Sequence, residues 1–359
     1  VLLIALPLFS TQASGLLLML LDIPLRVFYY LLSFFAKAGR GFIIYTGSPP
    51  LLLVVSVLIA FYLLAVSRSK FHKFIFGFFI LAGIGYMTIT IFYYAPRNLE
   101  VFYLDVGQGD AEVVVFPGGD ALLIDAGGAY YSSDAQVGLK TVLPFLLEKK
   151  IKIKWAAISH FHPDHARGIS EIVPIIRPEE LWISSEPGDD PAYDLLTHRL
   201  PGSVLIKKLH APFEKKVGLD GRYRIEILAP DRVIDGGAPR NNHSQVLKVS
   251  GPDHSFLFTG DIEAEVETRL AESDASKLGV DVLKVPHHGS RTSSGRDFLK
   301  CVKPEWAVFS YAQGNRFHFP HPETGRNYKS QGIKCISTAR CGGIRIISMP
   351  RRLNIEVSK

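Results

Sequence analysis

An apolar run, Trp155–Ile158, ends on Ser159-His160-Phe161-His162-Pro163-Asp164-His165. Three imidazoles and a carboxylate within six consecutive positions are the donor set of a divalent-cation site. In extended backbone, residues i and i+2 face the same side, so His160 and His162 can offer two nitrogens to one ion. The turn at Pro163 then swings Asp164 and His165 toward a second. A lone histidine on an apolar face is ordinarily a core residue with its hydrogen bonds met, but that reading does not explain ligands this dense at a strand end.

Two cations held close together need shared negative charge and ligands from other strands. Phe256-Leu-Phe-Thr-Gly-Asp261 ends an apolar run on a carboxylate presented after a glycine, and Val280–Pro286 runs into His287-His288-Gly289-Ser290. Asp261 is the expected bridging ligand, and one of His287 and His288 the closing one. Each has a plainer alternative: Asp261 as the N-cap of a helix from Ile262 onward, either histidine as a loop residue. Their order after residues 160–165 favours ligation.

Positioning these groups requires short strands, and from Leu99 onward the sequence offers them between turn signals. The expected strands are Glu100–Val106, Ala111–Phe116, Ala121–Asp125, Trp155–His160, Tyr223–Leu228, Gln245–Val249, Ser255–Thr259, Val280–Val285 and Trp306–Ser310. Leu139–Lys149 and Glu263–Glu272 carry apolar residues at helical spacing. Strands interleaved with helices in this way predict an α/β protein with two sheets sandwiched between helices.

His-x-His-x-Asp-His, then Thr-Gly-Asp, then His-His-Gly-Ser, resemble the metallo-β-lactamase fold, an αβ/βα sandwich. Asp105-Val-Gly-Gln-Gly-Asp110, Leu123-Ile-Asp-Ala-Gly-Gly128 and Leu283-Lys-Val-Pro-His-His-Gly-Ser290 are similar to the ComEC branch of that fold, the competence channel for DNA uptake. The resemblance covers the whole chain. It implies that residues 1–95, with Gly47-Ser-Pro-Pro50 before a leucine-rich run, end a membrane competence domain, and that 99–359 form the hydrolase domain.

The same resemblance implies two divalent metal ions, zinc or manganese, with His160, His162, Asp164, His165, Asn242, Asp261, His287 and His288 as their ligands. Asp261, His288 and Lys284 are the implied catalytic groups. Lys284, Ser290 and Arg291 flank the histidine pair and are expected to hold phosphates. Asp105, Asp110 and Asp125 are expected to support the ligands from behind, although Asp125 reads equally well as a turn former before Gly127-Gly128. The sequence also departs from its relatives. Where many members of the fold carry a third histidine, this chain has Asn241-Asn242-His243-Ser244. Asn242 is a weak neutral oxygen ligand, so the first ion is expected to be loosely held or a harder one such as manganese, unless His243 supplies an imidazole. Ser337-Thr-Ala-Arg-Cys-Gly-Gly343 lacks the aspartates expected from relatives, whereas Phe319-Pro-His-Pro322 is in place.

A composition of 47% hydrophobic and 21% charged residues is too apolar for a wholly water-facing chain, and the surplus lies before Leu99. Leu51–Val66 and Phe74–Ala95 read as two spanning helices joined by the basic loop 67–73, and Ile23–Ala36 as an interfacial helix. The chain opens on Val1 inside an apolar run, which reads as the continuation of a longer membrane protein. Arg68, Lys70 and Lys73 outnumber Arg97 beyond the last span, so the loop is expected on the cytoplasmic side of a multi-pass plasma-membrane protein and the hydrolase domain on the outer face. Cys301, Cys335 and Cys341 have neither thiolate-site spacing nor an even count, and are expected to be structural.

The function expected from the resemblance is DNA internalisation for natural transformation, with the domain a metal-dependent nuclease that hydrolyses the strand not transported. Its expected partners are single- or double-stranded DNA, membrane lipid and other competence-machinery proteins; a homo-oligomer stays open. A formal net charge of +6 suits a polyanion, and Lys149–Lys154 and Lys207-Lys208 could track a phosphate backbone, though solvated surface faces look the same in sequence. Two alternatives differ in class: a transport module whose hydrolase site is degenerate, and a hydrolase of another phosphodiester.

Overall fold

The computed structural model describes residues 96–129, 135–184, 191–218, 221–231 and 240–359, with scattered positions between 59 and 82. Apart from those positions, the expected spans 51–66 and 74–95 and the interfacial segment 23–36 lie outside the described residues. Among the described residues no helix is long and apolar enough to cross a membrane.

The strands alternate side chains between two faces, and both faces are apolar, so each sheet must be covered twice. The first sheet begins with β1 (Leu99–Tyr103), β2 (Glu112–Val115), β3 (Ala121–Ile124) and β4 (Trp155–Ile158), followed by β5 (Glu180–Ile183) and β6 (Leu205–Lys208). The second runs through β7 (Phe213–Val217), β8 (Tyr223–Ala229), β9 (Val246–Ser250), β10 (Ser255–Phe258), β11 (Val282–Lys284), β12 (Trp306–Phe309) and β13 (Lys334–Ser337). The chain then returns to the first sheet with β14 (Ile344–Met349) and β15 (Arg352–Val357), giving the orders β15-β14-β1-β2-β3-β4-β5-β6 and β13-β12-β11-β10-β9-β8-β7.

Leu122 and Ile124 of β3 and Phe256 and Phe258 of β10 meet between the sheets. Leu123 faces outward onto helix Pro163–Ile176 through Ile169 and Ile172, and Leu257 onto helix Ala264–Ser273 through Val266 and Leu270. Each such buried side chain contributes roughly 1.5–3 kcal/mol. Layers in the order helix, sheet, sheet, helix make up the αβ/βα sandwich expected from the sequence.

β3, β4 and β5 are mutually parallel, as are β10, β11 and β12. Their C-terminal ends therefore open toward the same end of their sheet. Asp125 follows β3, His160 follows β4, Asp261 follows β10, His287 and His288 follow β11, and Ser310 follows β12. Parallel α/β sheets place ligands at this end, where the connecting loops converge.

Candidate metal centre

Asp261 sits at the middle of these loops, 2% exposed. Its Oδ2 lies 3.3 Å from His165 Nε2, 3.5 Å from His288 Nε2, 3.8 Å from His287 Nε2 and 4.0 Å from His160 Nε2. Gly260 makes this approach possible. Its φ is +52, and a Cβ there would fall 2.8 Å from Ser244 Cβ and 2.9 Å from Ser159 Cβ, so no other residue fits beneath the carboxylate. The carboxylate is not a helix cap: helix Ala264–Ser273 starts three residues later, and Ser244 Oγ accepts the Asp261 N–H at 3.0 Å.

The opposite ring nitrogens are each engaged, which turns the imidazoles. His165 Nδ1 donates to Asp125 Oδ2 at 2.8 Å, and His288 Nδ1 to the Ser310 carbonyl at 2.9 Å. His160 Nδ1 lies 3.1 Å from Ser159 Oγ, whose own proton goes to Asp125 Oδ2 at 2.6 Å, and 3.3 Å from Ser244 Oγ. With Nδ1 as donor, each Nε2 points inward, where a bound cation would take the place of its proton, the arrangement found behind metal-binding histidines. His160 Nε2 and His165 Nε2, Asp164 Oδ1 and Asp261 Oδ1 are buried with no hydrogen-bond partner. Orphaned buried donors and acceptors on this scale are unfavourable unless something binds there. The donor set of Asp110, His165, Asp261 and His288 lies within 4.8 Å and fits a divalent cation.

The electrostatics follow from packing charge this densely. Burial pushes the His165 imidazole's ionisation down, but the Asp261, Asp164 and Asp125 carboxylates outweigh it and hold it well above its ordinary value. Burial likewise opposes His288, yet Asp261 and Asp110 raise it to about 10. His160, where burial and the neighbouring His165 act together, is held well below. Burial drives Asp261 upward, but the surrounding histidines carry it well below the usual carboxylate range.

Other sequence expectations are placed variously. Asp110 has its carboxylate on the rear side of the imidazoles, with Oδ1 3.3 Å from His288 Nδ1 and Oδ2 3.6 Å from His165 Nδ1. Asp125 also stands behind, accepting from the Ser159 N–H at 2.8 Å. Asp105 is not brought to the site; its carboxylate pairs with Lys359 at 3.2 Å on the surface. His162 lies at the rim, half-buried with its ring 4.6 Å from that of His160, and precedes helix Pro163–Ile176, whose start its carbonyl caps. Asp164 Oδ2 is 3.5 Å from His288 Nε2.

Asn242 is a correction to the ligand set. Its Oδ1 accepts the Glu263 N–H at 2.9 Å, and its Nδ2 donates to Glu265 Oε2 at 3.2 Å. Helix Ala264–Ser273 leaves N–H groups unmet at its start, and this amide meets one of them instead of a metal. His243 is half-buried in the same turn. Lys284 is also corrected as a phosphate contact. It is 1% exposed, pairs with Asp110, lies 3.9 Å from Asp261 Oδ1 and donates to the Gly260 carbonyl at 3.2 Å. Alternation along β11 turns it between the sheets with Val282, away from solvent. Ser290 Oγ bonds Thr292 Oγ1 at 3.1 Å, and Arg291 is exposed beside it. Of the basic stretches, Lys154 pairs with Asp120 at 2.9 Å and Lys207 with Glu180 at 2.8 Å.

His287 and His288 are both left-handed, at φ 46 and 54, and so is Asp125 at φ 54. Non-glycine residues are strained there, by roughly 1–3 kcal/mol each, and such strain collects at functional sites. The turn after the histidines is held from helix Ala264–Ser273: Glu267 accepts the Ser294 N–H at 2.6 Å and the Gly295 N–H at 2.8 Å. Burial nevertheless raises its carboxyl to about 7. Sequence reasoning missed Glu267, Ser159 and Ser244, whose roles are visible only as contacts across the fold.

The family model of the metallo-β-lactamase superfamily matches residues 104–312. The chain is 28% identical over 324 residues to ComE operon protein 3 of Bacillus subtilis, covering 83% of this chain and 39% of that protein. It is 30% identical over 264 residues to Recombination protein 2 of Haemophilus influenzae, covering 72% of this chain and 30% of that protein. The chain therefore spans less than half the length of these relatives. Among solved structures, Zn(2+)-bound PqqB from Methylobacterium extorquens aligns at a TM-score of 0.41 and 11% identity, over 68% of this chain and 99% of that one.

Proposed function

This chain belongs to the metallo-β-lactamase superfamily, its relatives being competence proteins of the ComEC family, and on that premise we propose that it is a metal-dependent nuclease of a DNA-uptake channel. Its substrate is the phosphodiester backbone of the strand that is not transported. The observation that carries this reading is the single carboxylate oxygen of Asp261 with four imidazole nitrogens within 4.0 Å.

Two divalent ions, zinc or manganese, held at Asp164, His165, Asp261 and His288, with His160 beside them and Asp110 behind, would activate water and offset charge on the phosphoryl oxygens. The protein's own groups do the rest. Asp125 and the Ser310 carbonyl fix the tautomers of His165 and His288. Lys284 balances Asp110 and Asp261 from below. His287, with 18% of its side chain exposed and Glu263 Oε1 at 3.5 Å from its Nδ1, stands at the rim where it can protonate a leaving oxygen. Arg291 is the nearby surface cation for a phosphate.

The membrane segment belongs to the same proposal. Phe74, Phe78 and Leu81 are helical and 74%, 62% and 70% exposed, a patch suited to lipid. Basic residues in the loop 67–73 support a hydrolase domain on the outer face.

The test is to incubate the purified chain, in detergent, with manganese or zinc and with single- and double-stranded DNA. Cutting that requires the metal is expected. DNA binding without cutting would point to a degenerate transport module, and suppression of cutting by an excess of a phosphocholine ester would point to a different phosphodiester substrate.

A further inference from the structure

We propose that Phe317 and Phe319 form a stacking platform for a nucleobase beside the site of phosphodiester cleavage, an inference that takes its substrate class from the nuclease reading. Phe319 lies against the histidine pair, its ring centroid 5.7 Å from that of His287 and 6.2 Å from that of His288. Phe317 continues outward from it, stacked at 5.4 Å with an interplanar angle of 17°. The aromatic rings thus step from the candidate metal centre to the surface, where Phe317 is 41% exposed.

Phe317 is not a residue of the sandwich core. It belongs to none of the three apolar clusters of the sandwich, and it rides in the polar stretch Gly314-Asn-Arg-Phe-His-Phe-Pro320. Its place is nevertheless fixed. Asn315 Oδ1 accepts the Phe319 N–H at 2.9 Å, while its Nδ2 donates to the Phe319 carbonyl at 2.8 Å and to the Ala312 carbonyl at 3.0 Å. The His321 N–H donates to the Gly289 carbonyl at 2.8 Å, tying the loop to the turn that carries His287 and His288. A flat ring held rigidly at the mouth of a site binds with little ordering left to do.

The chemistry that such a surface recognises is a π-face carried on an anionic chain. Every base has that face, so the contact tolerates any sequence. Arg316 Cζ is 4.8 Å from the Phe317 centroid, placing a cation where it can both stack and meet the adjoining phosphate. Bases in a duplex are already stacked on one another, so the platform selects single-stranded or frayed ends. A lipid-inserting tip would instead group several apolar side chains, and here Phe317 stands between Arg316 and His318.

The test measures binding of a fluorescent unstructured 12-mer to the purified chain with divalent metal chelated, so that nothing is cut. Phe317→Ala is expected to weaken binding at least roughly fivefold, the effect of losing one stacked base, while Phe317→Trp preserves it. Abasic sites are then moved along the oligonucleotide. One position should weaken the parent by a similar factor, and there the abasic site combined with Phe317→Ala should be no worse than either change alone. Equal binding by parent and Phe317→Ala, losses that multiply at every position, or no binding of the 12-mer by the parent would each overturn the platform. So would a loss of binding to phosphatidylglycerol vesicles with oligonucleotide binding unchanged. A parent that binds the 12-mer with these couplings but never cuts DNA in manganese or zinc refutes the nuclease reading and leaves the platform standing. A parent that cuts while Phe317→Ala binds normally does the reverse.

Discussion

The Lys284 ammonium and the Asp110 carboxylate are paired with both side chains only 1% exposed. Burial works against the lysine's charge, but Asp110, Asp261 and Glu112 outweigh it and raise its ionisation above the ordinary value. Removing one partner of a buried pair leaves an uncompensated charge, at roughly 3–5 kcal/mol. Lys284→Met is therefore expected to lower the stability of the metal-free protein on that scale. Added manganese should recover much of the loss, because it returns positive charge to the same carboxylates. Thermal melts with and without manganese measure this, and an equal loss in both would show that Lys284 acts through packing alone.

Asp261→Asn removes one negative charge from the carboxylate oxygen that the four imidazoles surround. Hydrolysis of DNA is expected to fall at least roughly a hundredfold, the scale of a positioned catalytic group. Binding through distant Lys and Arg should survive with its salt dependence nearly unchanged, since that slope counts phosphate contacts. Cleavage at the parent rate would reject Asp261 as the centre of the site.

Glu267 supplies a pH dependence separate from the metal. Its folded value of about 7 lies above a glutamate's ordinary 4.5, so between these the folded protein keeps a proton that the unfolded chain has released. The stability this contributes is complete below the lower value and is lost as pH rises to the upper one, at about 1.4 kcal/mol per pH unit. Melting temperatures of the parent should thus decline across that window relative to Glu267→Gln. Parallel curves for the two proteins would contradict it.

The outward orientation predicts that a phosphatase reporter fused at Lys359 is active in an oxidising compartment, carried there by the last span. Activity confined to the cytoplasmic side would reverse the topology and remove degradation before entry.

Much of the sandwich was legible because its strands carry strong local patterns. Phe256, Leu257 and Phe258 are an uninterrupted apolar run ending on Thr-Gly-Asp, and such runs are short strands buried on both faces. Less visible were β6, whose Leu-Ile-Lys-Lys looks like loop, and the closing strands β14 and β15. Helix Pro163–Ile176 was hidden by its ligands at one end and Pro174 at the other. In the site, His165 and Asp261 could be picked out from spacing, because their neighbours in sequence include other candidate ligands. Asp110 could not. Its N–H donates to the Asp164 carbonyl at 3.2 Å, a contact between distant loops that places its carboxylate behind the imidazoles of His165 and His288. Asn242 was misread because a helix N-terminus and a metal both seek an amide oxygen, and only the folded position of Glu263 distinguishes them.

The pairing of β1 with β14, Leu99 opposite Ser348 through Tyr103 opposite Ile344, imposes an order on biosynthesis. One side of β1 is satisfied early by the hairpin to β2, Glu100 opposite Val115 through Tyr103 opposite Glu112. Its other side has no neighbour until the ribosome has delivered residue 344 and beyond. For most of translation the nascent chain carries an open, apolar strand edge, the template on which chains aggregate. A pause or truncation between β2 and β14 would leave that edge exposed, so the demand on chaperones lasts until late in synthesis.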